Sequence, residues 1–335
     1  MAVALASPAA SALGEQDIAA LIQLRPSVLK VEASDGDGRV SVGTGVAVGP
    51  GVIATACHVT AHANSVRVVN NGERMQASSQ RAQVTRDLCL LDVPGASQVP
   101  VVELRSTPLE PGEELVALGY ILGAAPRVSN GTVLQLNPFD GGQVIQSTTP
   151  FNSGASGGGL FDRENRLVGI MTFRFRSGSD NQFSLPVEWV RQALALPPGP
   201  EIAPLAGRPF WDGPPDTLPP FLQSLRLAAE SRWGELETRA RRWVGADAGD
   251  APAWHALGRA QLAQGRSDAA LDSLRRASSL DAGNAVFLTD LALAQHGQHD
   301  GPGYAKTRAR LEQLAPAALL ELDRRLETCA AGAVC

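Results

Sequence analysis

The sequence predicts two domains of different fold class, an all-β domain followed by an all-α domain. Valine is concentrated in the first part: 24 of the 27 valines lie in residues 1–200, and three lie after residue 216. All five tryptophans lie at position 189 or later. A branched Cβ favours strands and costs rotamer freedom in helices, so this distribution predicts a change of fold class along the chain. The length of 335 residues, roughly twice a typical domain of about 150, agrees with two domains.

The overall composition excludes several classes of protein. A hydrophobic fraction of 44% is typical of globular chains, and no segment approaches the roughly 18 consecutive apolar residues that a spanning helix needs. The net charge of -5 gives no field that attracts phosphate backbones. No His or Cys spacing is typical of a zinc site. We therefore predict no integral membrane segment, no nucleic-acid partner, no metal and no cofactor.

Residues 17–195 have the pattern of the all-β domain. After a short helix candidate at residues 17–24, period-2 apolar runs alternate with turn signals that contain Gly, Pro and Asn. The turn signals are Gly49-Pro-Gly51, Asn70-Asn-Gly72, Asn130-Gly131 and Asp140-Gly-Gly142. Short strands at regular spacing with hairpin turns predict antiparallel barrels or a sandwich.

Residues 196–220 are rich in proline, which blocks both helices and central strands, and we interpret them as a linker. Residues 221–335 have helical periodicity. The segment from Pro252 to Asn284 resembles the 34-residue tetratricopeptide pattern of a helix pair, and its neighbours are degenerate copies. An ordinary helical bundle is the alternative, because Trp and Ala at helical spacing are also core residues.

The chain begins with a small apolar leader, residues 1–16, that resembles the end of a signal peptide, and this favours a periplasmic or secreted protein. Four cysteines are too few for a disulfide-built scaffold. Cys329 and Cys335 either close a short terminal loop or stay unpaired. For Cys57 and Cys89 we prefer two buried thiols over a bridge, because free Cys packs well in a core.

Three segments of the β-rich part carry residues suited to acyl transfer. Residues 53–59 deliver His58 at the end of a strand, residues 86–91 place Asp87 before an apolar strand, and residues 152–161 hold Ser156 in a glycine-rich turn. Imidazole can take the serine proton at neutral pH, and a carboxylate orients the ring. The amides of Gly154 and Ser156 would form an oxyanion hole, worth about 3–4 kcal/mol per donor in measured cases.

With these segments, residues 17–190 resemble a trypsin-like serine endopeptidase domain of the HtrA (Deg) kind. Further similarity lies in Gly43-Thr-Gly45, Ser129-Asn-Gly131, Gly169-Ile-Met171 and Phe183-Ser-Leu-Pro186. The resemblance covers about half the chain and implies two six-stranded barrels with the triad in the cleft between them. It implies that His58 is the general base, that Asp87 orients it and that Ser156 is the nucleophile.

The resemblance also places the substrate. A peptide would pair as an added strand with residues Thr172, Phe173 and Arg174. Pro150 would lie at the base of the primary specificity pocket with Arg174 near its mouth. Because Pro150 is not acidic, a preference for basic side chains is not expected.

Two functions follow from the sequence. The preferred one is a serine endopeptidase that cleaves protein or peptide substrates, with helical repeats that dock or select protein partners. Ala155 stands where the family has a polar residue and Gly159 where it has proline. These departures motivate the alternative, a catalytically silent binding protein that acts through its repeats.

Overall fold

The computed structural model describes residues 15–121, 125–175 and 182–330. The first half of the β-rich part is a seven-stranded antiparallel sheet with the strand order β5-β4-β1-β2-β3-β7-β6. A helix, α1 (Glu15–Leu24), precedes the sheet, and a four-residue helix, α2 (Cys57–Thr60), follows its third strand. The strands are β1 (Val28–Ser34), β2 (Val40–Gly49), β3 (Val52–Ala56), β4 (Ser65–Asn70), β5 (Glu73–Gln76), β6 (Ser79–Gln83) and β7 (Leu88–Asp92).

The second half of the β-rich part is a closed six-stranded barrel with the order β10-β13-β12-β11-β8-β9. A helix, α3 (Val187–Leu194), follows the last strand. The resemblance implied six strands in each half; this holds for the second, whereas the first has seven. The strands are β8 (Glu114–Ile121), β9 (Ala125–Phe139), β10 (Gly142–Ser147), β11 (Gly159–Phe161), β12 (Leu167–Arg174) and β13 (Gln182–Pro186).

The predicted turns form except at one place. Asn71 and Gly72 join β4 to β5, and Asp140 and Gly141 join β9 to β10, with positive φ at all four residues, as two-residue hairpin turns require. The turn expected at Asn130-Gly131 does not form, because β9 runs through it. A Cβ at Gly131 would lie 2.5 Å from the backbone nitrogen of Thr149. The glycine is therefore needed for close backbone approach and not for a turn.

Helices fill the chain after the linker. The pairs α4/α5, α6/α7 and α8/α9 each turn on a residue in the left-handed region, and these residues recur every 34 positions, at Ser231, Gly265 and His299. The second helices of the pairs begin at 233, 267 and 301, at the same spacing. The helices are α4 (Pro220–Ala229), α5 (Trp233–Ala246), α6 (Ala251–Ala263), α7 (Ser267–Leu280), α8 (Ala285–Gly297), α9 (Gly301–Leu314) and α10 (Pro316–Ala330).

The linker (residues 196–220) packs along the first sheet. The backbone N–H of Gln80 on β6 donates to Pro200 O at 3.0 Å, and Leu205 N–H donates to Ala61 O at 2.8 Å. Further on, Phe210 N–H donates to Thr85 O at 2.8 Å. The proline-rich composition therefore gives an extended path that is hydrogen-bonded to the sheet, and this path passes the loop after α2, which carries His58, and the loop before Asp87.

An aromatic cluster joins the barrel, the linker and the first helix of the helical region. Phe210 lies 4.8 Å from Phe139 and 6.5 Å from Phe221, measured between ring centroids. Phe221 belongs to α4 and also lies 6.0 Å from Phe183 of β13. These side chains belong to one apolar core that extends from both β-sheets into the helical region, and such burial is the main stabilising term between them.

The preference for two thiols at Cys57 and Cys89 is wrong, because these residues form a disulfide with their Cα atoms 4.9 Å apart. The register of β3 on β7 explains the pairing. Thr55 lies opposite Cys89, and Cys57 follows two residues later, so both sulfur atoms lie on the same face. The Cys329–Cys335 pairing and the leader up to residue 14 lie outside the described residues. Among the helices that the structure does describe, none is both long and apolar enough to cross a membrane.

Candidate active site

Asp87 is a fully buried carboxylate at the start of β7. Its φ of 60° places it in the left-handed region, which Asp tolerates better than most residues, and this turns its side chain out of the strand direction. Its carbonyl accepts from Cys57 N–H at 2.9 Å, and Oδ1 accepts from His58 N–H at 2.8 Å. The short helix α2 is thereby fixed to the loop that carries the acid.

His58 lies in the first turn of α2, directly after β3. Its Nδ1 is 2.7 Å from Oδ2 of Asp87. Because the buried carboxylate is an acceptor, Nδ1 carries the proton and Nε2 is left as the basic nitrogen. The His58 side chain is 29% exposed, whereas Asp87 is shielded. The pair has the arrangement of a base oriented by a carboxylate.

Ser156 lies in the second of two consecutive tight turns of the loop before β11. Ala155 N–H donates to Asn152 O at 3.0 Å, and Gly158 N–H donates to Ala155 O at 2.8 Å. Gly154 and Gly157 take the third position of these turns with φ of 94° and 86°. A positive φ at this position is typical of type II turns and favours glycine.

Thr44 of β2 fastens this loop to the first sheet, a role that the sequence did not indicate. Its N–H donates to Ser156 O at 2.8 Å, and its hydroxyl donates to Gly154 O at 2.7 Å. The same hydroxyl accepts from Tyr120 N–H at 2.9 Å. Thr44 lies in the Gly43-Thr-Gly45 motif that resembles the family's strand, but only the fold shows what its side chain contacts.

Thr172 connects the serine to the acid. Its carbonyl accepts from Ser156 Oγ at 3.2 Å, and its hydroxyl donates to Oδ2 of Asp87. Within the described ranges, no hydrogen bond joins Ser156 to His58 directly. The Ser156 hydroxyl is directed to the Thr172 carbonyl instead.

The other residues predicted to bind substrate lie in different surroundings. Phe173 is buried, stacked between Phe183 at 4.7 Å and Trp211 at 5.0 Å. Arg174 is exposed, and its Nη1 donates to Asn152 Oδ1 at 3.1 Å, which ties the end of β12 to the serine loop. Pro150 is exposed on the same loop, where its carbonyl accepts from Ser129 Oγ at 2.6 Å.

Trp211 is the second residue whose role the sequence did not indicate. It lies in the linker, where the proline-rich composition gave no signal of a role. Its Nε1 donates to Oδ2 of Asp87 at 3.1 Å, and its ring lies edge-on to His58 at 5.4 Å. The carboxylate thus receives hydrogen bonds from both sheets and from the linker.

The β-rich part of the chain is similar to known peptidase domains. The family model described as "Trypsin-like peptidase domain" matches residues 43–170. The chain is 30% identical over 193 residues to serine protease HTRA1A of Danio rerio, covering 52% of this chain and 39% of that protein. It is 31% identical over 156 residues to serine protease HTR4 of Rattus norvegicus, covering 43% of this chain and 31% of that protein. The chain therefore spans less than half the length of these curated relatives.

Solved structures show the same fold. The Rv3671c protease from M. tuberculosis in its active form superposes with a TM-score of 0.50 at 22% sequence identity, covering 56% of this chain and 85% of that one. The fold is a chymotrypsin-like pair of β domains, followed here by an all-helical region. The β-rich half of the chain therefore has the fold of a trypsin-like peptidase domain and is similar to the HtrA-type serine proteases.

Proposed function

We propose that the protein is a serine endopeptidase in which His58 is the general base, Asp87 orients it and Ser156 is the nucleophile. The observation that carries the proposal is the bridging position of Thr172, which binds Ser156 through its carbonyl and Asp87 through its hydroxyl. Because Asp87 in turn binds His58 at 2.7 Å, one residue of β12 brings all three groups to the junction of the two β domains.

The reaction follows from these roles. Nε2 of His58 takes the proton of Ser156 as Oγ attacks the carbonyl carbon of the scissile peptide bond. The tetrahedral intermediate collapses, the C–N bond breaks, and His58 gives the proton to the leaving amine. Water then attacks the acyl-enzyme with His58 again acting as base, which releases the carboxylic product and restores Ser156. Asp87 keeps the ring oriented throughout and stabilises the imidazolium.

The amides of Gly154 and Ser156 are the proposed oxyanion hole. In the part of the chain that the structure describes, neither N–H donates to a protein acceptor. Unpaired backbone donors are rare unless water or a ligand meets them. The two donors lie on either side of Ala155, in a loop that Thr44 holds rigidly, and fixed donors of this kind stabilise a developing negative charge.

The cleft beside β12 is the proposed substrate site. A peptide would pair with residues 172–174 as an added strand, and the loop with Pro150 would contact the side chain at the scissile residue. The guanidinium of Arg174 lies across this region, hydrogen-bonded to Asn152. Among the described residues at this place there is a cation and no acid, which favours substrates whose side chain at the scissile residue is not basic.

The helical region is proposed to consist of tetratricopeptide-type repeats that dock protein partners or regulate the peptidase domain. The recurrence of its helix pairs every 34 residues supports this proposal. A groove of about 910 Å³ between the barrel and the α5–α6 turn offers a surface for a partner segment, lined among others by Leu136, Phe139 and Pro252. On another side, His255 and Arg259 of α6 face Gln135 of β9 around a cavity of about 70 Å³. These two surfaces support an action of the proposed repeats on the peptidase domain.

The departures from the family pattern have local explanations, and they do not favour a silent protein. Ala155 is 1% exposed and packs in an apolar cluster with Met171. A Cβ at Gly159 would lie 2.3 Å from the ring of Phe161. Both positions are therefore set by packing behind the loop, and neither removes a group that the reaction needs.

We further propose that the protein works in the periplasm or outside the cell. The disulfide between Cys57 and Cys89 supports this, since disulfides persist in oxidising compartments and are rare in the cytosol. The relatives are reported as serine proteases, and a substrate outside the cytoplasm fits such an enzyme.

The test is covalent labelling of the full-length protein with a fluorophosphonate probe, together with digestion of casein. The wild type should be labelled and should cleave casein, and Ser156→Ala should do neither. Ser279→Ala, at an exposed position on α7, is the matched control and should behave as the wild type. No Ser156-dependent signal in either assay, together with repeat-dependent capture of a partner, would instead support the binding protein.

A further inference from the structure

We propose that Trp211 of the linker is a positioning residue of the active site, which orients Asp87 and His58 and makes catalysis depend on how the linker is anchored. This inference rests on the proposed serine endopeptidase function. It adds to the triad a residue that lies outside the β-rich half and outside the matched residues 43–170.

The first argument is the hydrogen bond to the buried acid. Oδ2 of Asp87 accepts from His58 Nδ1 at 2.7 Å, from Trp211 Nε1 at 3.1 Å and from the hydroxyl of Thr172. Asp87 is 0% exposed, so water cannot replace a donor that is removed. Hydrogen bonds to a buried charge are stronger than neutral ones, and losing one lets the carboxylate rotate.

The second argument is the position of the indole ring. It meets the His58 ring at 5.4 Å with an interplanar angle of 87°, which is a favourable edge-to-face contact. The indole also stacks on the Phe173 ring, with the ring centroids 5.0 Å apart and an interplanar angle of 22°. One side chain therefore limits the rotation of the base, holds the acid, and is itself held by β12.

The third argument is the anchoring of the linker around Trp211. The preceding residue, Phe210, donates its N–H to Thr85 O, two residues before Asp87. The Phe210 ring contacts Phe139 of the barrel at 4.8 Å and Phe221 of α4 at 6.5 Å. The residue beside Trp211 thus contacts both the loop before the acid and the first helix of the helical region, so a shift of α4 would move the indole donor.

The experiment compares Trp211→Phe with Trp243→Phe in the full-length protein. Both changes remove an indole N–H that donates to a carboxylate, since Trp243 Nε1 donates to Asp250 Oδ2 at 2.8 Å within the helical region. Phe at position 211 keeps a ring that can stack on Phe173. We expect Trp211→Phe to lower kcat roughly tenfold with KM within about twofold of the wild type. Trp243→Phe should leave kcat unchanged.

Two further measurements separate positioning from general destabilisation. The rate of labelling of Ser156 by the fluorophosphonate should fall by the same factor as kcat in Trp211→Phe. The far-downfield proton resonance of the His58 Nδ1–H should shift in Trp211→Phe and not in Trp243→Phe. Equal kcat in wild type and Trp211→Phe, or an equal loss in both variants with an unmoved resonance, would overturn the inference. A wild type that is not labelled at all would refute the proposed function itself.

Discussion

The hydroxyl of Thr172 donates to the carboxylate of Asp87 across the boundary between the two β domains. Asp87 belongs to the first sheet and Thr172 to the closed barrel. The same threonine accepts the Ser156 hydroxyl on its carbonyl. The hydrogen bond from Thr172 to Asp87 fixes the position of β12 relative to the acid. The relative position of the two domains and the geometry of the site therefore depend on one another.

Replacing Thr172 with Val should reduce catalysis more than stability. Val keeps the shape of the side chain but removes the donor, and a hydrogen bond to a charged group is worth about 1.5–3 kcal/mol. We expect kcat to fall roughly tenfold or more, with Thr172→Ser retaining most of the activity because it keeps the hydroxyl. Steady-state cleavage of a peptide substrate by the three proteins checks this. Equal kcat in Thr172→Val and the wild type would contradict it.

Replacing Gly157 with Ala should collapse the serine loop, whereas the same change at Gly72 should be mild. Both glycines have similar positive φ, 86° and 89°. A Cβ at Gly157 would lie 2.1 Å from Thr44 O, but a Cβ at Gly72 would meet nothing within 4 Å. Gly72→Ala therefore measures the cost of the left-handed conformation alone, about 1–2 kcal/mol. Gly157→Ala adds a backbone clash, for which overpacking costs of about 1–3 kcal/mol are typical.

The measurements for this pair are the thermal unfolding midpoint and the rate of probe labelling. Gly157→Ala should lose labelling and unfold at a lower temperature than Gly72→Ala, which should keep full labelling. Equal midpoints with labelling retained in both would show that the loop tolerates the clash by moving.

The helical region should lose stability between pH 7 and pH 5 because of His255. Burial lowers the pKa of His255 below its ordinary 6.5, although its hydrogen bond to Asp290 opposes the shift. Burial alone would raise the pKa of Asp290, but the hydrogen bond from His255 and the charges of Arg325 and Arg259 hold it well below its usual range. As the pH falls through 6.5, the unfolded chain therefore binds a proton that the folded chain still excludes.

The sign follows from this difference: stability is highest above the unfolded pKa and declines as the pH falls. Asp290 makes no contribution to the change in this interval, because it stays ionised in both states. His255→Gln keeps an N–H donor for Asp290 without titrating, so its unfolding midpoint should fall less between pH 7 and pH 5 than that of the wild type. His62→Gln, at an exposed position, should follow the wild type. Identical pH dependence in all three proteins would exclude the buried histidine as the cause.

The outcome at particular residues shows what can be inferred from a sequence. The hairpins at Asn70-Asn-Gly72 and Asp140-Gly-Gly142 were predictable because a turn depends on the φ preferences of two adjacent residues. The hairpin prediction at Asn130-Gly131 was wrong, because Gly131 is required for close approach to the backbone of Thr149 on another segment. Cys57 and Cys89 were not predictably paired, because their distance depends on the register of β3 on β7.

Three features were predictable from the amino-acid sequence alone: the change from strands to helices near residue 196, the turn chemistry of the hairpins, and a histidine, an acid and a serine in segments suited to acyl transfer. These follow from local preferences and from residue chemistry. Three other features depend on how distant segments pack: Thr44 holds the serine loop, Thr172 joins Ser156 to Asp87, and Trp211 contacts the acid. Each of these contacts joins residues that are 16 to 124 positions apart in the chain, so no local preference encodes it, and the packing of two β domains and a linker alone brings the atoms together.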